Sequence, residues 1–247
     1  MAALFDGSTS FLTTSSLPFI GPPYTVGCWC QFSATGGAAE LFAQSNSGST
    51  TQYWLIGKDT SDRINFQTAG SAGTLFLAGA VVYPVNTWVF VIARLISATN
   101  RRVDVLAIDG GIEHLQQTSN QVFTGLNTQT IGALTRSSGT VSFWPGLIAE
   151  IWGYGGDVQP GGAAMDDNLL RQFAFHGPLS VPSLLPALSF YDSMRSAHPA
   201  RRSPVEDYAL GAPLPWASTG VIVPGRDHPP LPYEYDRPTP VARMLMI

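Results

Sequence analysis

Lysine is nearly absent from this 247-residue chain: there is one, Lys58, beside twelve arginines. Thirteen basic residues against 17 acidic ones give a formal charge of -4. No segment gathers a basic cluster, which argues against nucleic acid as a partner. Long apolar runs are missing too. Even TWVFVIARLISATNRR is broken by Arg94, short of the ~18 to 20 apolar residues of a membrane span, so a soluble chain without a membrane partner is expected. The opening MAALFDGSTS has no Lys or Arg ahead of an apolar run. Export by a signal peptide is therefore not expected.

Cysteine is scarce as well. Cys28 and Cys30 are the only two, both in YTVGCWCQF. On a strand, residues two apart share a face, so Tyr24, Val26, Cys28, Cys30 and Phe32 form one apolar row with Trp29 opposite. A bridge between positions i and i+2 would be strained. The four histidines, His114, His176, His198 and His228, are scattered rather than spaced as metal ligands. No nucleophile elbow joins a Ser-His-Asp order, and no Gly-rich loop enters a helix, so acyl transfer and phosphate binding find no support.

What the chain does have is a series of short strands separated by Gly, Ser, Asn and Pro. They are expected at 3–6, 10–13, 23–33, 39–44, 52–58, 62–68, 74–79, 87–96, 102–109, 128–133 and 144–154, a spacing that predicts an all-β fold of two antiparallel sheets. One helix interrupts the pattern in AMDDNLLRQFAFHG. Asp166 or Asp167 can cap it, Leu169, Leu170 and Phe173 have helical spacing, and Gly177-Pro178 ends it. Beyond that point the composition changes, because residues 178–247 hold 13 of the 19 prolines. Two units are expected: a body over 1–177 and an extended C-terminal arm over 178–247.

Several of these pieces, in this order, resemble the laminin G-like, concanavalin A-like jelly-roll domains over residues 3 to 177. The resemblance rests on the opening strand LFDG, the Trp-centred strand YTVGCWCQF, the Trp-initiated NTWVFVIARL leading to VDVLAIDGG, then TQTIGAL, PGLIAEIWGY and the closing helix AMDDNLLRQF. It implies a jelly-roll sandwich. It also implies calcium as a cofactor to weigh, since some relatives bind it through loop carboxylates. Asp6 and Asp109 are the candidates here, but the Asp these relatives carry beside Glu150 is replaced by Ala149. Asp-Gly turn chemistry explains both carboxylates without a metal. Glucanases of this fold carry Glu-x-Asp-x-x-Glu on one strand, whereas LIAEIWGY offers Glu150 alone, so no catalytic residue is assigned and enzymatic activity is not expected.

Two functional expectations follow. Plain domains of this type resemble those of tailed-phage structural proteins, which implies a virion protein made in the host cytoplasm, a capsid decoration or tail component. It would be held to other virion proteins by residues 178–247, with a homo-oligomer left open. The apolar residues expected to dock are Trp216, Val221, Ile222, Tyr233, Tyr235, Met246 and Ile247, set among prolines that lower the entropy of a free arm. The alternative is a lectin-like adhesin module binding a surface glycan, with Tyr53, Trp54 and Asp59 of TTQYWLIGKDTSD as the sugar-binding candidates. Aromatic residues at such positions also fill sandwich cores.

Overall fold

The structure, a computed structural model, describes residues 2–15, 17 and 19–181, and beyond them the segments 188–192, 206–207, 212–213, 217–219 and 223–224. In chain order the strands of the body are β1 (Ala3–Asp6), β2 (Phe11–Thr14), β3 (Tyr24–Phe32), β4 (Ala39–Ser45), β5 (Tyr53–Lys58), β6 (Ile64–Gly70), β7 (Gly73–Ala78), β8 (Val89–Ser97), β9 (Asn100–Ala107), β10 (Ile112–Gln117), β11 (Thr128–Ile131), β12 (Leu134–Arg136), β13 (Gly139–Val141) and β14 (Pro145–Tyr154). Helix α1 (Asp167–His176) follows, and then β15 (Leu188–Asp192), β16 (Glu206–Asp207), β17 (Ala212–Pro213), β18 (Ala217–Thr219) and β19 (Val223–Pro224). The eleven expected strands are all present to within two residues.

The strands build two antiparallel sheets, as the jelly-roll expectation requires. One runs β10-β9-β8-β3-β14, with β1 and β15 beside β14 and β16 and β17 beyond β15. The other runs β18-β2-β11-β4-β5-β6-β7, while β12 and β13 form a separate hairpin. Period-two alternation decides which side chains meet between the sheets. From β3 the inward row is Tyr24, Val26, Cys28, Cys30 and Phe32, and from β5 it is Trp54 and Ile56. Both cysteines are free and buried, and burial pushes the Cys30 thiol up.

The outer face of the larger sheet has its own apolar layer. Trp29, Phe90, Ile92, Leu147 and Trp152 pack under Leu170, Phe173 and Ala174 of α1. Trp29 Nε1 donates to the Ala174 carbonyl at 2.7 Å. Gly27 leaves room for the Trp152 indole, which a Cβ there would overlap. The helix begins where Asp166 accepts from the amides of Asn168 and Leu169 and stops at Gly177, whose φ of 70° favours glycine. A bulge in β14 lets the strand serve both layers. Glu150 adopts φ 51° there, and the register against β3 slips between Ala149 and Trp152. As a result Ile148 and Ile151 both face the inner core while Leu147, Ala149 and Trp152 face the helix.

Polar staples fix the rim. Arg94, fully buried, donates to Asp104 at 3.2 Å, to Asp157 at 2.9 Å and to the Ala163 carbonyl at 2.6 Å. His114 on β10 bridges Asp104 at 2.7 Å and Asp167 on α1 at 3.0 Å. At another corner Lys58 is 1% exposed, donates to the Gly37 carbonyl at 2.7 Å and to Asp62 at 2.6 Å, and lies over the Phe32 ring. Among the described residues no helix is long and apolar enough to cross a membrane.

The described parts of residues 178–247 do not stand apart from the body. β15 pairs with the second half of β14, β18 with β2, and β19 with β1. The expected docking residues Trp216, Val221, Ile222, Tyr233, Tyr235, Met246 and Ile247 all lie outside the described residues.

Candidate functional site

The outer face of the seven-stranded sheet carries the chemistry. Because Trp54, Ile56 and Phe66 point inward, their strand neighbours point out. Cross-strand register then lines up Glu40, Gly57, Asn65 and Ala78 in one row. The next row is Thr130, Ala43, Leu55, Gln67 and Phe76. A third holds Thr128, Ser45, Tyr53, Ala69 and Thr74. The hairpin β12–β13 lies over the β4 side, with Leu134 and Val141 packed on Ala43, Tyr53, Leu55 and Ala69. Three bonds anchor it: Ser45 Oγ to the Thr135 carbonyl at 2.5 Å, the Glu40 amide to the Ser142 carbonyl at 2.9 Å, and the Ser137 amide to the Ser49 carbonyl at 3.3 Å.

Three polar atoms gathered here are buried with no partner among the described residues: Glu40 Oε2, Asn65 Oδ1 and Arg136 Nε. Each such atom costs about 1 to 3 kcal/mol, so a cluster of them demands a reason. Gly57 separates Glu40 from Asn65 across the strands. A Cβ at Gly57 would overlap the Ala39 carbonyl oxygen and stand 2.5 Å from Glu40 Oε2, so the glycine gives the Glu40 carboxyl the space it occupies against the strand.

Burial pushes the Glu40 carboxyl up to about 8, with Arg136 opposing the shift. At neutral pH Glu40 is thus mostly a neutral acid able to donate or accept. Burial also raises Tyr53, whose hydroxyl accepts from Gln67 Nε2 at 2.6 Å. At the open side stands Phe76, 59% exposed. The face therefore combines an exposed ring, a tyrosine-amide pair, a guanidinium and buried polar atoms without partners among the described residues.

The residues singled out from sequence are not brought together. Tyr53 lies on this face. Trp54 is 0% exposed, stacked near Phe66 in the inner core, with its indole N–H donating to Gln44 at 2.9 Å, so it offers no platform. Asp59 sits in the β5–β6 turn, accepting from the amides of Ser61 and Arg63 and from the Arg63 guanidinium. Glu40, Asn65, Gln67, Phe76 and Arg136 went unnoticed because they come from four different strands. Alternation within AELFAQS, INFQTAG and GTLFLA marks the outward residues of three of them, but only register shows that they adjoin.

The loop carboxylates are likewise apart. Asp6 Oδ1 accepts from the amides of Ser8, Thr9 and Ser10 and from Ser10 Oγ, while Oδ2 accepts from Thr9 Oγ at 2.5 Å. Burial opposes ionisation there, but these bonds outweigh it and hold the carboxyl well below its usual range. Asp109 closes a turn by accepting from the Gly111 amide at 3.0 Å. β1 and β9 are four strand spacings apart, about 19 Å. Among the described residues no three His, Cys, Asp or Glu side chains gather where they could hold a metal ion.

Comparison with known proteins gives this geometry a family. The laminin G-type family described as the concanavalin A-like lectin/glucanases superfamily matches residues 6–160. The chain belongs to that superfamily. No curated protein matches its sequence. Among solved structures, this superfamily member is similar to the CBM40 of the Ruminococcus gnavus IT-sialidase bound to α2,3 sialyllactose. The identity is 14% with a TM-score of 0.53, over 69% of this chain and 94% of that one. It is also similar to the NanB sialidase from Streptococcus pneumoniae, at 16% identity and a TM-score of 0.50, over 64% of this chain and 26% of that one. The LG1-3 region of the laminin α2 chain aligns at 14% identity and a TM-score of 0.48, over 62% and 30%. At these identities the structural likeness concerns the fold of this lectin/glucanase-superfamily domain alone.

Proposed function

We propose that the chain is a non-catalytic carbohydrate-binding module and that its ligand lies on the outer face of the seven-stranded sheet, against the β12–β13 hairpin. The observation that carries this reading is that the unpartnered polar atoms of Glu40, Asn65 and Arg136 lie on the same side of the sheet as the exposed Phe76 ring of its edge strand. Sugars present apolar ring faces edged by hydroxyls, so a sheet face that carries both an exposed aromatic ring and unused donors and acceptors suits them. Further support comes from the whole-module likeness to a CBM40 that holds sialyllactose, and from a NanB sialidase in which the similar part is 26% of the chain. A catalytic role has less to recommend it. Glycoside hydrolysis needs two carboxyls about 5 to 9.5 Å apart, and Glu40 and Glu150 belong to different sheets.

The virion reading, with residues 178–247 as a docking arm, is less well supported. The described strand segments of that region pair with the chain's own sheets. The test of the glycan reading is calorimetric titration with 3′-sialyllactose and with lactose, followed by a wider panel of neutral and sialylated oligosaccharides. Phe76→Ala and Arg136→Met are each expected to weaken binding about tenfold. A panel with no binder overturns the function; binding indifferent to both substitutions overturns the location.

A further inference from the structure

The last described residues trace a path that matches the first ones. β1 belongs to the larger sheet and β2 to the smaller, joined by the turn that Asp6 organises. Residues 3–14 are therefore a corner running from one sheet to the other. β18 pairs antiparallel with β2, Ala217 opposite Thr13, Ser218 opposite Leu12 and Thr219 opposite Phe11. β19 pairs antiparallel with β1, Val223 opposite Leu4 and Pro224 opposite Ala3. Residues 217–219 and 223–224 thus lie on the two sheets in the reverse order, each beside one half of the same corner.

This corner is where both sheets would otherwise end. Inside it, β2 is joined to β11 and β1 to the first half of β14. The remaining flank of β14 is taken by β15. Without β18 and β19, β1 and β2 would expose unpaired backbone N–H and C=O groups in two sheets at once. An edge of that kind accepts a strand from another molecule. The outer strand beside β1 is suited to end the pairing, because β19 carries Pro224, and proline has no N–H to offer a further strand.

We propose that β18 and β19, residues 217–219 and 223–224, are an edge guard, a strand pair supplied in cis that covers β2 and β1 and keeps them from accepting a strand of a second copy. The surface it occupies is a strand-binding site that reads backbone rather than side chains. Its occupant is a segment of the same chain, about 200 residues downstream.

The experiment uses the full chain. Ser218→Pro with Val223→Pro removes two amide donors from the guard. Hydrogen exchange over residues 3–5 and 11–14 is expected to speed up at least tenfold, and light scattering is expected to show a dimer growing with concentration. Unchanged exchange at those residues would mean the guard does not occupy the corner. Faster exchange in a protein that stays monomeric at every concentration would sink the guarding role. A second variant avoids any loss of folding: Thr13→Cys with Ala217→Cys places two thiols directly opposite, at a separation that antiparallel neighbours allow for a disulfide. Oxidation is expected to give a bridged monomer on a non-reducing gel. A bridged dimer, or no bridge, contradicts pairing in cis.

Discussion

Glu40 is the side chain whose titration reports most directly on the candidate site. Burial raises its carboxyl from 4.5 to about 8 in the folded protein. A folded-state value above the unfolded one means that the stabilising proton is fully held below the unfolded value and is lost as pH rises through the folded value. Stability is therefore expected to decline between about pH 4.5 and 8 and then level off. Glu40→Gln keeps the shape and removes the charge. Its melting temperature should match the parent near pH 4, and exceed it at pH 8 by an amount equivalent to a few kcal/mol. Parallel melting curves for the two proteins across that range would mean that Glu40 is not held neutral. Sequence alone did not point to this residue, because a single Glu inside AELFAQS reads as an ordinary solvent-facing position. Its neighbours Gly57 and Asn65 arrive through pairing with two later strands.

Helix α1 is held to the sheet by more than its apolar face. His114 on β10 stands between buried Asp104 and exposed Asp167, with Arg94 bound to the other oxygen of Asp104 and also to Asp157. Burial would lower the His114 pKa, but the bonds to Asp104 and Asp167 outweigh it and raise the value. The bridge is thus fully present below the unfolded histidine value and is lost as pH rises through the folded one. Amides in the first turn of α1, corrected for intrinsic exchange, should be better protected at pH 6 than at pH 9, and His114→Gln should abolish the difference. An equal pH response in the variant would assign the effect elsewhere. The helix was legible in the sequence because a capping aspartate, a 3.6 period and Gly177-Pro178 agree over a short span. β10 was not, since IEHLQQ is a half-exposed strand without an apolar run, and β12–β13 escaped because three-residue strands leave too little pattern to count.

At the scale of the whole molecule the fold was readable where both faces of a strand are buried. β3 shows this best: its cysteine row faces one apolar layer and Trp29 the other. The arrangement of residues 178–247 was not readable, because proline-rich composition says that a segment is extended without saying what it lies against. The saturated Asp6 turn leads to a prediction for the entire chain. Thermal melting in chelator and in millimolar calcium should give midpoints within about 2 °C, given that a ligand binding only the folded state raises the midpoint with its concentration. A shift of many degrees would show that the loops hold a structural ion.

Lys58 bears on how the protein can be handled. It is the one lysine in the chain, and its ammonium group is buried over the Phe32 ring with Gly37 and Asp62 as partners. Reagents that acylate lysine side chains therefore meet no accessible target while the fold is intact. Acylation of Lys58 should proceed only as fast as the molecule opens, and its rate, followed by mass spectrometry, becomes a clock for opening. Rapid modification at full native signal would show that this corner opens locally. For a protein destined for glycan arrays or sensor surfaces, the same burial means that lysine coupling would capture the unfolded fraction in preference to the native one.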